Sequence, residues 1–533
     1  MTDVAERIRL ARQQSVADTL RRSARRHPDK PAILCGDVAW SYGEFDALVD
    51  RLARGLLARG LAKGDRVAIL SRNSHAFAAL RYAVARAGLV LVPINFMLNA
   101  HEVGYILQSS GARALAYGPD MAALAAEAAE GSAVEWRLAL PGEGAPAAPL
   151  DGDTTMEDAL DPDATPLLAG LSEADLAQIV YTSGTESLPK GAMLTHGAVL
   201  WEYVSCIVDG GMAREDVILH ALPLYHCAQL DVFLGPAVML GMTSVITGAP
   251  TPGNLLTLLE RHAITSFFAP PTIWIGLLRA EGFDAADLSR LEKGYYGAAI
   301  MPVEVLRELA RRLPNVRLTN FYGQTEIAPL ATFLPPEEQL SHAGSAGNAA
   351  LNVETRVVDE AMQDVAPGEI GEIVHRSPHL MSGYWNDDER TEAAFAGGWF
   401  HSGDLAVRDA EGRITVVDRK KDMIKTGGEN VSSREVEECV YLLPEVAEVA
   451  VIGLPHPKWI ETVVAVVVPK SGATVDEAAV IAHCRERLAH YKAPTRVILA
   501  DALPKNPSGK ILKRDLRALH GGAQDHLPGA AEG

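Results

Sequence analysis

An apolar run, Leu176 to Val180, feeds into Tyr181-Thr182-Ser183-Gly184-Thr185-Glu186-Ser187-Leu188-Pro189-Lys190-Gly191. A strand that ends in hydroxyls, backbone-exposing glycines and one lysine brings N–H donors and a cation to one point, which is how a polyphosphate is gripped. The spacing is not that of a Walker A loop, because Pro189 precedes Lys190 and Gly191 follows it. A different use of a nucleoside triphosphate is implied. A Ser/Thr/Gly loop by itself is more often a turn, so its meaning depends on what accompanies it.

Around this loop the chain alternates helical patterns, such as Tyr42 to Arg59, with short apolar strand candidates, such as Arg66 to Leu70 and Gly88 to Pro93. That rhythm reads as α/β layers with mostly parallel strands. The Pro-, Gly- and Ala-rich stretch from Pro141 to Pro166 reads as a surface connection. A more strand-rich stretch leads to Arg419. After Asp422 a small α+β unit is expected, with strands at Val446 to Gly453 and Thr462 to Pro469, a helix from Val475 to Ala489 and a last element from Ile511 to Leu519. The Gly- and Ala-rich end from Gly521 is expected to be disordered.

With 533 residues, 48% of them hydrophobic, the chain exceeds one compact core, and a net charge of −19 opposes general nucleic-acid binding. Five cysteines without paired ligand spacing fit a reducing compartment better than a disulfide or zinc framework. No secretory signal is seen at the N-terminus, and a cytoplasmic protein is expected. The uncharged stretch Val232 to Leu259 is broken by Gly235, Pro236, Gly241, Pro250, Pro252 and Gly253, so it reads as buried helix, strand and turn rather than a membrane span.

Further motifs follow in order: Pro223-Leu224-Tyr225-His226, Tyr322-Gly323-Gln324-Thr325-Glu326, Trp399-Phe400-His401-Ser402-Gly403-Asp404, Asp418-Arg419-Lys420-Lys421-Asp422, Gly427-Gly428-Glu429-Asn430 and Pro504-Lys505-Asn506-Pro507-Ser508-Gly509-Lys510. Through this ordered set, which spans nearly the whole chain, the sequence resembles the adenylate-forming superfamily of acyl-CoA synthetases, adenylation domains and luciferases. The resemblance implies an α/β fold: a large multi-layer N-terminal domain with mixed β-sheets and a small barrel-like subdomain (1–420), a small mobile α+β C-terminal domain (421–520), and a tail (521–533). It also implies an ATP-dependent acyl-CoA synthetase that makes an acyl-adenylate with loss of pyrophosphate and then a thioester of CoA.

Carboxylate attack on the α-phosphate brings anions together, so the site needs cations and hydrogen-bond donors more than it needs a base. By resemblance, Thr182, Ser183, Gly184, Thr185 and Lys190 hold the β- and γ-phosphates, Thr325 donates to the α-phosphate, and Glu326 binds Mg2+. Tyr322, with Gly323, packs on adenine, and Gly297, Ala298 and Ala299 lie along it. Asp404 accepts from the ribose hydroxyls, Arg419 adds a ribose or phosphate contact, and Lys510 carries its charge to the forming acyl-phosphate bond. Lys421 stands at the hinge, while Gly428 and Trp459 face CoA. His226, Cys227 and Tyr296 are assigned to the acyl pocket, with Gln229 or Asp231 as readers of a polar substituent.

Three departures stand out: Glu186 and Ser187 replace the usual Thr-Gly, and Ile460 replaces a usual glycine. A fatty acid of medium or long chain is the first expectation for the acid, with benzoate or cinnamate types behind it. Transfer to an acyl carrier protein is the main rival reading, and a degenerate nucleotide-binding scaffold is the non-enzymatic one. Oligomeric state, monomer or homodimer, is open.

Overall fold

The computed structural model describes residues 4–182, 189–426, 429–457, 459–505 and 511–521. Packing divides them into two compact units, one of residues 4–182, 189–355 and 375–400, the other of residues 356–374 and 401–521 outside the same gaps.

The first unit is built on two large sheets. In one, the strands Arg317–Gly323, Lys293–Gly297, Ser266–Phe268, Val217–His220 and Thr243–Ile246 lie side by side and parallel. In the other, Ala114–Tyr117, Arg66–Leu70, Val90–Ile94 and Leu176–Thr182 do the same, and Lys190–Thr195 turns back antiparallel at the edge. Central strands covered on both faces read as unbroken apolar runs, as Val67-Ala68-Ile69-Leu70 does, all buried. The helix expected over 42–59 spans Tyr42–Ala58, fixed at its start by reciprocal hydrogen bonds between Ser41 and Glu44. The long uncharged stretch resolves into short helices Gly235–Leu240 and Pro252–Arg261 around the buried strand Thr243–Ile246. Among the described residues no helix is long and apolar enough to cross a membrane.

The stretch expected to be barrel-like is a four-stranded sheet in linear order, Glu354–Val358, Gly371–Arg376, Phe400–Arg408 and Ile414–Arg419, most of whose residues belong to the second unit. The C-terminal part pairs Val446–His456 with Ile460–Pro469 and adds Arg496–Leu499 parallel to the latter. Its helices Ser433–Tyr441 and Glu477–Arg487 cover a core of Val436, Val449, Val451, Val463, Ala465 and Val480. Asp418 ties the two parts together, its Oδ2 accepting from the Ser433 N–H and hydroxyl, both at 2.7 Å. The helix expected over 475–489 is Glu477–Arg487, started by Asp476, whose side chain accepts from the Ala479 N–H.

Candidate active site

In the first unit, the antiparallel pair places Thr182 opposite Lys190 and Tyr181 opposite Gly191. The strand therefore presents the ends of the loop as expected; Ser183, Gly184, Thr185, Glu186 and Ser187 lie outside the described residues. Tyr181 is anchored sideways, its hydroxyl donating to Ser109 Oγ at 2.9 Å. Lys190 Nζ stands 5.2 Å from the ring centre of Tyr384.

The strand Arg317–Gly323 runs into the tight turn Thr325–Ile327. Gly323 is a packing requirement here, because a Cβ would fall 1.7 Å from the Pro329 carbonyl oxygen, and Gln324 N–H donates to that same oxygen at 3.1 Å. The turn puts Thr325 Oγ1 3.4 Å from the buried Cys227 thiol. It also sets Glu326 so that Oε1 accepts from the Tyr384 hydroxyl at 2.9 Å. Burial, followed by the nearby Glu326 charge, pushes the Tyr384 phenol far up, so it stays a proton donor.

Sequence reasoning did not single out Tyr384. Its signal was Met381-Ser382-Gly383-Tyr384-Trp385, small residues and two aromatics just ahead of the helix Asp388–Ala394 that Asp387 caps. That segment is strapped on both sides. Met381 N–H donates to the Glu326 carbonyl at 2.8 Å, Met193 N–H to Gly383 O at 2.9 Å, and Trp385 N–H to Gly191 O at 2.8 Å.

Gly297 ends the strand Lys293–Gly297, and a Cβ there would sit 2.4 Å from the Phe321 carbonyl oxygen. Close strand packing accounts for that glycine without a ligand. The next residue, Ala298, is exposed at φ +64°, a conformation costly for any side chain, and Ala299 is exposed beside it.

The residues expected to read the acid are only partly free to do so. His226 is exposed and its Nδ1 accepts from the Ala228 N–H at 3.1 Å, capping a short turn. Burial pushes the Cys227 thiol far up, which removes it as a nucleophile. Tyr296 is buried and donates to Gln339 Oε1 at 2.6 Å. Gln229 is spent on the Leu222 N–H and His220 Nδ1, at 3.3 and 2.7 Å. Asp231 is spent on Arg81 Nη2 and Gln178 Nε2, at 3.2 and 2.6 Å, with both charged side chains almost fully enclosed. Neither Gln229 nor Asp231 is therefore the reader of a polar substituent; both are committed to partners inside the fold.

In the second unit, Asp404 and Arg419 are cross-strand partners, and Arg419 Nε lies 2.7 Å from Asp404 Oδ1. The turn that presents Asp404 is organised by Glu372, whose carboxylate accepts from the Gly403 N–H at 3.2 Å and from Lys420 Nζ at 2.9 Å, and pairs with His401 Nδ1 at 3.2 Å. Burial would raise the Glu372 pKa, but the hydrogen bonds from Lys420 and His401 outweigh it and hold the group below its ordinary value.

Lys421 is exposed at a turn two residues past Arg419. Trp459 is exposed, with its ring 6.5 Å from that of His456 in a stacked arrangement. Ile460, the residue that departs from glycine, takes φ +73° at 68% exposure. Gly428 and Lys510 lie outside the described residues; Lys505 and Ile511, flanking the latter, pair as an antiparallel bridge.

Among the described residues no group of three His, Cys, Asp or Glu could hold a metal ion. A single placed carboxylate such as Glu326 suits Mg2+, which keeps most of its oxygen ligands as water and substrate phosphate.

The sequence profile of the AMP-binding enzyme family matches residues 20–385, and that of the AMP-binding enzyme C-terminal domain matches residues 435–510. Feruloyl-CoA synthase of Amycolatopsis sp is 38% identical over 96% of this chain and 100% of its own. The long-chain-fatty-acid–CoA ligase FadD13 of Mycobacterium tuberculosis is 36% identical over 90% and 93%. Indoleacetate–CoA ligase of Aromatoleum aromaticum is 35% identical over 95% and 98%. Among solved structures, ATP-bound MatB from Rhodopseudomonas palustris superposes with a TM-score of 0.84 at 30% identity, over 96% of this chain and 99% of that one.

Proposed function

We propose, on the premise that this chain belongs to the AMP-binding enzyme family and is an AMP-forming acid–thiol ligase using ATP, Mg2+ and CoA, that its carboxylic acid carries an aromatic ring. The observation that carries this is the 38% match to a feruloyl-CoA synthase along that protein's entire length, joined by an indoleacetate–CoA ligase. The pairing of Gln229, Asp231 and Tyr296 with internal partners supports it, since side chains committed in this way leave no charge near His226 to read a polar acid. Phe96 and Tyr225, edge to face at 5.4 Å, add aromatic surface next to His226. A medium- or long-chain fatty acid is the second reading, supported by the FadD13 relationship.

In the first half-reaction a carboxylate oxygen attacks the α-phosphorus of ATP and the bond to pyrophosphate breaks. In the second, the CoA sulfur attacks the acyl carbon and AMP leaves with the electron pair of the cleaved bond. Thr182, Ser183, Gly184, Thr185 and Lys190 hold the β- and γ-phosphates, and Thr325 donates to the α-phosphate. Glu326 holds Mg2+, which when bound neutralises phosphate charge. Tyr322 and Gly323, with the exposed backbone at Ala298 and Ala299, bound the adenine. Asp404 accepts from the ribose hydroxyls with Arg419 beside it, and Lys510 neutralises charge at the reacting phosphate. Lys421 is the hinge between domains 1–420 and 421–520, and Gly428 and Trp459 line the path of the thiol. The acceptor is free CoA, with a carrier protein's phosphopantetheine as the alternative, and the compartment is the cytoplasm.

The test incubates the purified protein with Mg-ATP, CoA and a panel of ferulate, benzoate, indoleacetate, octanoate and palmitate, with products identified by mass spectrometry. Aryl-CoA products are expected; turnover of the fatty acids alone overturns the aryl reading. Accumulated acyl-AMP with no thioester overturns CoA as acceptor. A Lys510→Ala variant that still forms acyl-adenylate at the normal rate removes that residue's assigned role.

A further inference from the structure

Tyr384 touches two of the groups assigned to the polyphosphate. Its hydroxyl donates to Glu326 Oε1 at 2.9 Å, and its ring face receives the Lys190 ammonium, 5.2 Å from the ring centre. Tyr384 is 7% exposed, and its backbone is fixed from three directions. Tyr384 pairs with Ala192 as an antiparallel bridge on the strand that follows the loop. Its N–H donates to Thr391 Oγ1 at 2.9 Å, and that hydroxyl in turn donates to Asp387 O at 2.7 Å. The preceding Gly383 takes φ +142°, a backbone conformation that residues with a side chain rarely adopt. The chain has thus committed local backbone to holding one phenol at one place.

The geometry points to Tyr384 as the positioning residue of the cation site: it fixes the Glu326 carboxylate through Oε1, so that the other oxygen is the one presented to Mg2+, and it sets Lys190 apart from that carboxylate. This rests on the reading of Glu326 as the Mg2+ ligand. A glutamate on a tight turn loses rotamer freedom when it binds a cation, and a hydrogen bond made beforehand removes part of that cost. The identity of the donor matters equally. A phenol is neutral, so the carboxylate keeps its full charge for the cation. A lysine or arginine in the same place would compensate that charge and compete with the metal. The ring serves the second purpose, since an ammonium held over an aromatic face is attracted there without forming an ion pair with Glu326. Among the described residues Oε1 is the only side-chain oxygen of Glu326 with a hydrogen bond.

The experiment titrates Mn2+ into the full-length protein with α,β-methylene ATP and follows bound metal by electron paramagnetic resonance, for wild type, Tyr384→Phe and Glu326→Gln. Affinity for the nucleotide without metal is measured alongside. Tyr384→Phe keeps the ring and is expected to weaken Mn2+ binding about tenfold, the scale of one lost hydrogen bond to a charged group, while metal-free nucleotide affinity stays within about twofold. Metal binding unchanged in Tyr384→Phe but lost in Glu326→Gln overturns the proposal and leaves Glu326 as the ligand. Metal binding unchanged in both overturns both readings. An equal loss of metal-free nucleotide affinity in Tyr384→Phe marks a general structural role and also overturns the proposal. Should that variant not accumulate as folded protein, Thr391→Val loosens the same backbone from outside the charged groups. A selective two- to threefold loss of Mn2+ affinity then supports the proposal, and unchanged affinity overturns it.

Discussion

Glu326 in the first unit and Asp404 in the second are carboxylates of similar chemistry with opposite partners. Glu326 is held by a neutral phenol at 2.9 Å, whereas Asp404 is held by a guanidinium at 2.7 Å. The first keeps its charge and suits a cation; the second has its charge compensated in advance and suits the neutral hydroxyls of a ribose, for which it needs acceptor geometry more than field. Asp231 completes the series. Paired with Arg81 and Gln178 in the interior, it is committed to the fold and has nothing left for a ligand. The partner of an acidic side chain, more than its presence in a motif, assigns its work.

The comparison is broken most directly at Glu326. Glu326→Gln keeps the shape and the hydrogen bond from Tyr384 but removes the charge, and adenylation should fall about 10³-fold, the upper range for losing one electrostatic stabiliser. Loss of less than tenfold would mean that this charge is not used on a cation. Asp404→Asn tests the other side. It halves the acceptor capacity and leaves Arg419 uncompensated, so KM for ATP should rise about 10- to 100-fold while kcat changes far less. A fall in kcat with unchanged KM would place Asp404 in the chemistry rather than in nucleotide binding.

A smaller effect is expected one contact further out. Glu372 holds the Gly403 turn that presents Asp404, and its pKa is lowered from the ordinary 4.5. A carboxylate depressed by folding contributes stability that is present above its unfolded pKa and is lost as pH falls through the lower folded value. Wild-type protein should therefore lose melting temperature below about pH 4.5 more steeply than Glu372→Gln, read by circular dichroism from pH 7 to 3. Parallel curves for the two proteins would show that the hub carries no proton linkage. At neutral pH the same variant should raise KM for ATP only a few fold, because Arg419 still pairs with Asp404.

Much of this was legible in the sequence because it is periodic or locally punctuated. The strand behind the loop, the helical pattern from Tyr42 to Arg59, and the strands at 446–453 and 462–469 announce themselves by apolar periodicity and runs, and in the structure they are the helix Tyr42–Ala58 and the paired strands Val446–His456 and Ile460–Pro469. The motif residues were legible through their ordered recurrence. What sequence could not supply was partnership across distance. Tyr384 is 58 positions from Glu326, and nothing local marks its hydroxyl as the one that meets that carboxylate. Gln229 and Asp231 follow His226 in sequence and looked available, but their side chains turn into the interior to His220 and Arg81. Gly297 resembled a ligand-facing glycine, yet the nearest obstacle is its neighbouring strand.

Ile460 is the case in which a sequence departure and a structural outlier coincide. A β-branched residue at φ +73° is strained by contact between its Cβ and the backbone, at about 1–2 kcal/mol for the left-handed region. At 68% exposure it recovers little of this by burial. Glycine adopts the same conformation freely but loses more entropy on folding, which takes back part of the gain. Ile460→Gly should therefore stabilise the protein by a net of about 1 kcal/mol, seen as a rise of about 1 °C in Tm, with KM for CoA unchanged. The smallness of that effect is what makes it discriminating. If the isoleucine is only tolerated, removing it improves stability at no functional expense. If instead KM for CoA rises while Tm also rises, the strain is held for contact with the thiol substrate, and the hairpin tip then resembles the Glu326 turn, where local geometry is spent on a ligand.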